Sequence, residues 1–167
     1  MSTPRILLLV RHAKSSWEDD SLADRDRPLN KRGMVDAPEM ADRLRQRLLI
    51  PDRIVSSPAV RAYNTACALS HTLDLPVSQI QVEEELYAAT AGDILEIVRR
   101  LDDRVSVALV VTHNPGLTDL VNEMTSQVIE NVPTCGVVTI ELPSWTEATH
   151  GRMVDFDYPK RAGTALP

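Results

Sequence analysis

Short apolar runs that end abruptly in polar residues are the clearest pattern in this chain. They cover residues 6–10, 54–55 and 107–112. Apolar runs of this length predict buried strands of a parallel sheet. Arg11 and His12 follow the first run directly, and His113 follows the third. Because ligands of open α/β sheets bind beyond the carboxyl ends of the strands, these residues stand where chemistry is expected.

Helical patterns alternate with the predicted strands. A helix is expected over residues 31–49 with Asn30 as its N-cap, and Pro38 should kink it or force a restart capped by Asp36. Other helices are predicted over residues 58–73, 94–101 and 115–124, and other strands over residues 80–82, 137–142 and 153–157, the last at an edge. The alternation predicts a three-layer α/β/α fold with a mainly parallel central sheet.

Two strand-to-helix turns have the same composition. Ser57-Pro58 and Asn114-Pro115 each place a capping residue before a proline, which suits the first position of a helix. Both helices would then direct their N-termini toward the same end of the sheet. Free amides and a positive dipole at that end favour an anion. Arg61 would lie on the first turn of its helix, within reach of the same place.

Length and composition bound the class of protein. A chain of 167 residues is expected to form one domain, residues 1–167. The two cysteines fit no metal or redox spacing, and no apolar run has the length of a membrane span or signal peptide. A reducing, cytoplasmic location is the default expectation. No partner copy is indicated, so a monomer is the default.

Charge is distributed unevenly along the chain. The formal net charge is −6, which argues against general binding of nucleic acid. Residues 1–33 nevertheless hold seven Lys or Arg and five Asp or Glu. A locally basic entrance to the site could attract an anionic group. Chance clustering on a solvated loop explains the excess of basic residues equally well.

Candidate chemistry concentrates at the predicted strand ends. Arg11 and Arg61 could bind phosphate as bidentate forks, and His12 or His113 could act as nucleophile or base. Lys14, Ser15 and Asn114 could add donors or could simply be solvated. The sequence has no metal-binding motif of the HExxH kind, no P-loop and no GxGxxG, so neither a metal nor a nucleotide is expected.

Four segments resemble motifs of the histidine phosphatase superfamily, whose fold is that of phosphoglycerate mutase. Residues 9–15 resemble its arginine-histidine signature, and residues 56–66, 111–117 and 28–33 resemble its second-arginine, second-histidine and helix-entry motifs. The Arg-His-Ala-Lys-Ser start and the Glu-Leu-Tyr-Ala-Ala segment at residues 85–89 are most similar to the small SixA-type phosphohistidine phosphatases.

The resemblance implies a mechanism and a partner. It implies that His12 becomes phosphorylated in a pocket formed with Arg11, Arg61 and His113, without metal or other cofactor. Glu85 is the first candidate for a general acid, although the SixA-type branch is thought to lack a fixed one. The implied substrate is a phosphohistidine-bearing protein, such as a histidine phosphotransfer domain in signal transduction.

Two other functions stay open. A phosphatase or mutase of the same superfamily acting on a sugar phosphate would share the His12 chemistry, and would be favoured by a carboxylate held near the leaving oxygen. A noncatalytic phosphate-binding module would bind the anion without turnover. Whether Trp17 and its long polar loop contact a partner is also open.

Overall fold

The computed structural model describes residues 3–161 and contains a six-stranded sheet. Its strands are β1 (Arg5–Arg11), β2 (Arg53–Ser56), β3 (Gln81–Val82), β4 (Val107–Thr112), β5 (Val137–Leu142) and β6 (Arg152–Asp157). They are ordered β3-β2-β4-β1-β5-β6. Among these six strands, β5 alone runs opposite in direction to the other five, so the predicted mainly parallel sheet is confirmed. The single-domain prediction for residues 1–167 extends beyond the described residues and stays a prediction.

Helices cover both faces of the sheet. They are α1 (Lys31–Gln46), α2 (Val60–Thr72), α3 (Ala91–Arg99) and α4 (Gly116–Met124). Leu8 faces a core layer built with α1 and α2, whereas its neighbours Leu7 and Leu9 face a layer built with α3 and α4. This alternation buries β1 on both sides, as its continuous apolar sequence predicts. Within the described residues, no helix has the length and apolar composition needed to cross a membrane.

The pairing of β1 with β4 fixes the geometry of the site. The two strands are parallel, and Arg11 pairs with Thr112 in their register. The next residue on each strand is a histidine, so His12 and His113 leave the sheet side by side. The sequence alone predicts that both strands end at one edge, and the register brings their last residues level.

Helix α1 differs from its prediction. Asn30 caps it as expected, because its side chain accepts a hydrogen bond from Gly33 N at 2.8 Å. The predicted restart capped by Asp36 is wrong, since the helix continues through Pro38 to Gln46, while the alternative of a kink at Pro38 stays a prediction. Proline frees the carbonyl four residues earlier, and Met34 at that position is exposed, so water can satisfy it.

The two strand-to-helix turns also differ from their predictions. Helix α2 starts at Val60 with Ala59 as N-cap, so Ser57 does not cap it and Pro58 precedes it. Helix α4 starts at Gly116, one residue later than predicted, although Asn114 Oδ1 still accepts from Thr118 N at 3.2 Å. Ser57 has a different partner, in the site described below.

The long loop after β1 folds back on itself. Ser15 and Leu29 form an isolated antiparallel bridge, and Asn30 N donates to Lys14 O at 2.9 Å. A Cβ on Gly33 would lie 2.3 Å from Lys14 O, so only glycine allows α1 to pack this closely on the loop. Between these anchors, residues Asp24–Asp26 form one turn of 3-10 helix.

Candidate active site

Two histidines and two arginines converge where β1 and β4 end. The rings of His12 and His113 have their centroids 5.2 Å apart, and both residues are more than nine-tenths buried. Arg61, on the first turn of α2, is also buried, and Arg11 is half-buried. We call Arg11, His12, Arg61 and His113 the two-histidine pocket. The structure thus brings together the four residues predicted to be catalytic.

His12 is held in one tautomer. Its Nδ1 lies 2.8 Å from the carbonyl oxygen of Ala13, which can only accept, so Nδ1 carries the proton and Nε2 keeps its lone pair. Ala13 is anchored in turn, because its N–H donates to Thr65 Oγ1 on α2 at 2.9 Å. Burial, together with the charges of His113, Arg61 and Arg11, lowers the pKa of His12 to about 3. His12 is therefore neutral, and the position of its Nε2 lone pair is fixed.

His113 is oriented by Ser57. Ser57 Oγ accepts from Ala59 N at 3.3 Å and lies 2.6 Å from His113 Nε2, so its O–H is free to donate to that nitrogen. Within residues 3–161, the other ring nitrogen of His113, Nδ1, is buried without a hydrogen-bond partner. Burial, followed by the charge of Arg61, lowers the pKa of His113 to about 4.

Within the described residues, Arg11 has no carboxylate partner. It donates from Nη1 to Val132 O at 3.0 Å, and its Nε is buried without a partner. Burial lowers its pKa. Asn114 shapes this wall, since its amide group donates to Asn131 Oδ1 and to Val132 O. Both amide hydrogens of Asn114 are therefore committed to the loop, and it positions Arg11's partner rather than offering the predicted donor to phosphate.

Arg61 is bound by a residue that the sequence analysis missed. Asp24 accepts from Arg61 twice, through its carbonyl oxygen at 2.6 Å and through Oδ2 at 3.1 Å. Tyr87 O–H donates to the same Oδ2 at 2.7 Å, and Arg27 donates to Oδ1 at 3.0 Å. Asp24 and Arg61 are 37 residues apart, so no spacing rule links them. The hydrogen bond from Tyr87 and the charge of Arg61 lower the pKa of Asp24.

Ser15 and Lys14 lie beside the pocket without a demonstrated role. The buried hydroxyl of Ser15 accepts a short hydrogen bond from Arg27, whose guanidinium also donates to Ser16 O. The side chain of Lys14 is exposed. Their contribution to phosphate binding stays a prediction.

The predicted acid Glu85 points to other partners. It is exposed, and its carboxylate accepts from Arg100 at 2.8 Å, at the C-terminal cap of α3. Among the described contacts, none joins Glu85 to either histidine of the pocket. A role for Glu85 as an acid is therefore a prediction without structural support. The carboxylate that does reach the pocket is Asp24.

The described residues around the pocket provide no set of metal ligands. Over residues 3–161, no three His, Cys, Asp or Glu side chains converge as metal ligands would. The positive charge in the pocket comes from guanidinium groups.

Comparison with known proteins identifies the family. Residues 7–96 match the model of the histidine phosphatase superfamily (branch 1). The chain belongs to this superfamily. A relative in Mycobacterium tuberculosis, Rv1276c, is 33% identical over 165 residues, which cover 90% of this chain and all of that protein. The pocket described above lies at the strand ends of this superfamily domain, with Arg11, His12 and Arg61 inside the matched range.

Solved structures share the fold. SixA of Nakamurella multipartitia superposes with a TM-score of 0.83 at 22% identity, over 96% of this chain and 99% of that one. SixA of Agrobacterium tumefaciens gives 0.78 at 27% identity, over 95% and 100%. Both bear the name of a phosphohistidine phosphatase. A mycobacterial glucosyl-3-phosphoglycerate phosphatase shares the fold at 0.63 and 16% identity, over 93% and 98%.

Proposed function

We propose that this protein is a phosphohistidine phosphatase that forms a phosphorylated intermediate on His12. The observation that carries the proposal is the neutral His12 Nε2, fixed by Ala13 O within a buried set of cationic donors. A nucleophilic histidine must keep its lone pair to attack phosphorus. The similarity to SixA proteins supports the same function.

The donors around His12 suit a phosphoryl group. Arg11 Nε and His113 Nδ1 are both buried without partners, and nonbridging phosphate oxygens would supply the acceptors that they lack. Arg61 uses two of its five N–H groups on Asp24, which leaves three for phosphate. A phosphate dianion would also raise the pKa of His113 toward its ordinary value, so that His113 gains charge as the ligand binds.

The reaction proceeds in two transfers. In the first, a bond forms between His12 Nε2 and phosphorus while the bond to the leaving group breaks in line. In the second, water attacks the phosphohistidine and releases inorganic phosphate. Transfers of this kind depend mainly on positioning and charge stabilisation. Arg11, Arg61 and His113 supply both.

The leaving group explains the choice of substrate. The carboxylate nearest to the pocket is Asp24, whose pKa is lowered, so it is ionised and cannot serve as a proton donor at neutral pH. A departing alkoxide would need such a donor. Phosphohistidine that arrives protonated leaves as neutral imidazole and needs none, so the site should favour P–N over P–O bonds.

The test uses a His12→Ala variant and a matched control. The purified protein is incubated with a phosphorylated histidine phosphotransfer domain and, separately, with phosphoramidate. We expect phosphate release and an acid-labile phosphoenzyme, both lost in His12→Ala. His71→Ala, on the exposed side of α2, should retain both. Phosphate release that persists in His12→Ala would contradict the proposed nucleophile.

A second candidate is a sugar phosphate phosphatase, favoured by the fold shared with the glucosyl-3-phosphoglycerate enzyme. It predicts turnover of sugar phosphates that exceeds turnover of phosphoramidate. The partner class of our proposal is instead a cytoplasmic phosphohistidine carrier of a signalling relay.

A further inference from the structure

The proposed substrate poses an electrostatic problem at this site. Phosphohistidine that leaves as neutral imidazole carries a proton on its distal ring nitrogen, and that ring is positively charged while the phosphorus bond is intact. The surroundings of the pocket are themselves cationic, through Arg11, Arg61 and Arg27. A site that uses this substrate therefore needs an anionic acceptor for the distal N–H.

Asp24 lies in the right place to supply that acceptor. Asp24 accepts two hydrogen bonds from Arg61. A phosphate bound by the remaining N–H groups of Arg61 would therefore be separated from Asp24 only by the guanidinium group. The side chain of Asp24 is 54% exposed, whereas His12 is 8% exposed. Because the leaving group of an in-line transfer departs on the side opposite to the nucleophile, attack by the more buried His12 would direct it toward solvent, the side to which Asp24 is exposed.

The carboxylate also has an open acceptor position. Oδ2 receives both Tyr87 O–H and Arg61, while Oδ1 receives only Arg27. An ionised carboxylate has about four acceptor positions, two on each oxygen. One position on Oδ1 is therefore open on the exposed side chain.

We infer that Asp24 Oδ1 accepts the distal N–H of the substrate's phosphorylated imidazole and so selects protonated phosphohistidine over phosphate esters. The inference rests on the proposed function. As the bond between His12 Nε2 and phosphorus forms, the P–N bond of the substrate breaks and its electron pair returns to the substrate ring. The distal proton stays on that ring, which leaves as neutral imidazole, and no proton is taken from the enzyme.

A simpler role for Asp24 makes a different prediction. If Asp24 only positions Arg61, its loss weakens the binding of the phosphoryl group, which every substrate carries. All rates should then fall by the same factor. If Asp24 contacts the leaving group, the loss should depend on which leaving group is present.

The decisive experiment compares Asp24→Asn with the wild type on two substrates. N-phosphoimidazole, assayed at pH 6, presents the distal N–H, whereas p-nitrophenyl phosphate has a leaving group that needs no protonation. Asp24→Asn keeps the backbone carbonyl that binds Arg61. We expect the ratio of kcat/KM for N-phosphoimidazole to that for p-nitrophenyl phosphate to fall about tenfold, as expected for one charge-assisted hydrogen bond. An unchanged ratio would overturn the inference.

A matched control removes the same charge nearby. Glu84 pairs with Arg25, whose guanidinium lies over the Tyr87 ring. Glu84→Gln should therefore leave the substrate ratio as in the wild type. A fall equal to that of Asp24→Asn would mean that net charge alone sets the ratio.

A second measurement needs no variant. N-phospho-N′-methylimidazolium has the same positive charge but no distal N–H. The wild type should discriminate against it at least tenfold relative to protonated N-phosphoimidazole, after each rate is divided by that of spontaneous hydrolysis. Equal normalised rates would refute the inference. Turnover of neither P–N substrate by the wild type would instead contradict the proposed function itself.

Discussion

Two groups of buried and half-buried arginines in this molecule have opposite arrangements. Near the C-terminal end of α1, Arg43 and the C-cap residue Arg47 face Asp157 and Asp155 of β6, and we call these four residues the α1–β6 ion cluster. Arg43 Nη1 lies 3.0 Å from Asp157 Oδ1, and Arg47 Nη2 lies 3.3 Å from Asp157 Oδ2. Asp155 adds a second contact to Arg47. Positive and negative groups are matched in number.

In the two-histidine pocket, by contrast, Arg11 and Arg61 have only one carboxylate between them in the described structure. That carboxylate, Asp24, also binds Arg27. Two buried nitrogens of the pocket, Arg11 Nε and His113 Nδ1, have no hydrogen-bond partner among residues 3–161. From this comparison we expect that arginines with matched partners stabilise the fold, whereas arginines with unmatched charge keep N–H groups available for an anion. The first group should affect stability, and the second should affect turnover.

The largest expected effect is on the free energy of unfolding, from Asp157→Asn. Asp157 is 1% exposed, and its loss removes the buried carboxylate that Arg43 and Arg47 share, so that each keeps only a more exposed partner, Glu39 or Asp155. Removing one partner of a buried ion pair costs about 3–5 kcal/mol. Urea unfolding at pH 7 measures the change, and the kcat of the folded fraction should be unchanged.

Glu96→Gln provides the control for that variant. It removes an exposed pair with Arg99 within α3, and its unfolding free energy should change by less than about 1 kcal/mol. If both variants lose equal stability, the distinction between matched buried pairs and ordinary surface pairs fails.

The next effect is on rate, from Arg61→Lys. Lysine keeps the charge but cannot bind Asp24 and phosphate with one planar group. Loss of such a donor lowers the rate by on the order of 10²–10³. Steady-state kinetics on phosphoramidate tests this, with Arg99→Lys as a control that should keep full activity. A variant with the wild-type rate would show that Arg61 has only a structural role.

A smaller effect is the dependence of stability on pH. The pKa values of His12 and His113 are about 3 and about 4, below the ordinary value of 6.5. Below pH 6.5 the unfolded chain therefore binds protons that the folded chain does not. Stability should fall as pH falls from 6.5 to about 4, by about 2 kcal/mol per histidine at pH 5 relative to pH 7. Above pH 7 neither histidine contributes.

Urea unfolding at the two pH values checks this expectation. His113→Asn should show a smaller loss between pH 7 and pH 5 than the wild type, because one of the two titrating groups is gone. Asp24 does not complicate this window, since its pKa is lowered from 3.8 and its own contribution is lost only at lower pH. Identical losses in both proteins would contradict the assignment of His113 as a buried neutral group.

Much of the fold could be predicted because its signals are local. The apolar sequences of β1, β4 and β5 predicted those strands, and Asn30 marked the start of α1. The same local rules failed at Ser57, which resembles a helix cap in sequence. In the structure, the Ser57 hydroxyl forms a hydrogen bond with His113, which is 56 residues away. Helix α2 therefore begins after Ala59 instead.

Only some residues of the candidate active site could be predicted from the sequence, for a related reason. Residues that end buried strands could be identified from sequence, as His12 and His113 were. Asp24 begins one short 3-10 turn and Tyr87 caps another, between the main helices and strands, and nothing in their spacing connects them with each other or with Arg61. Their roles depend on the way the loop after β1 folds back through the Ser15–Leu29 bridge, which is a tertiary property.

The position of Trp17 gives the molecule its own optical reporter. The chain has two tryptophans, and Trp145 is fully buried with its indole N–H bonded to Val105 O. Trp17 is 72% exposed and stacks on the guanidinium of Arg27, which is bonded to Asp24. A ligand that rearranges Asp24 and Arg61 would therefore alter the environment of one indole and spare the other. Emission from Trp17, isolated by a Trp145→Phe substitution, offers a way to follow occupancy of the pocket in real time, without a label.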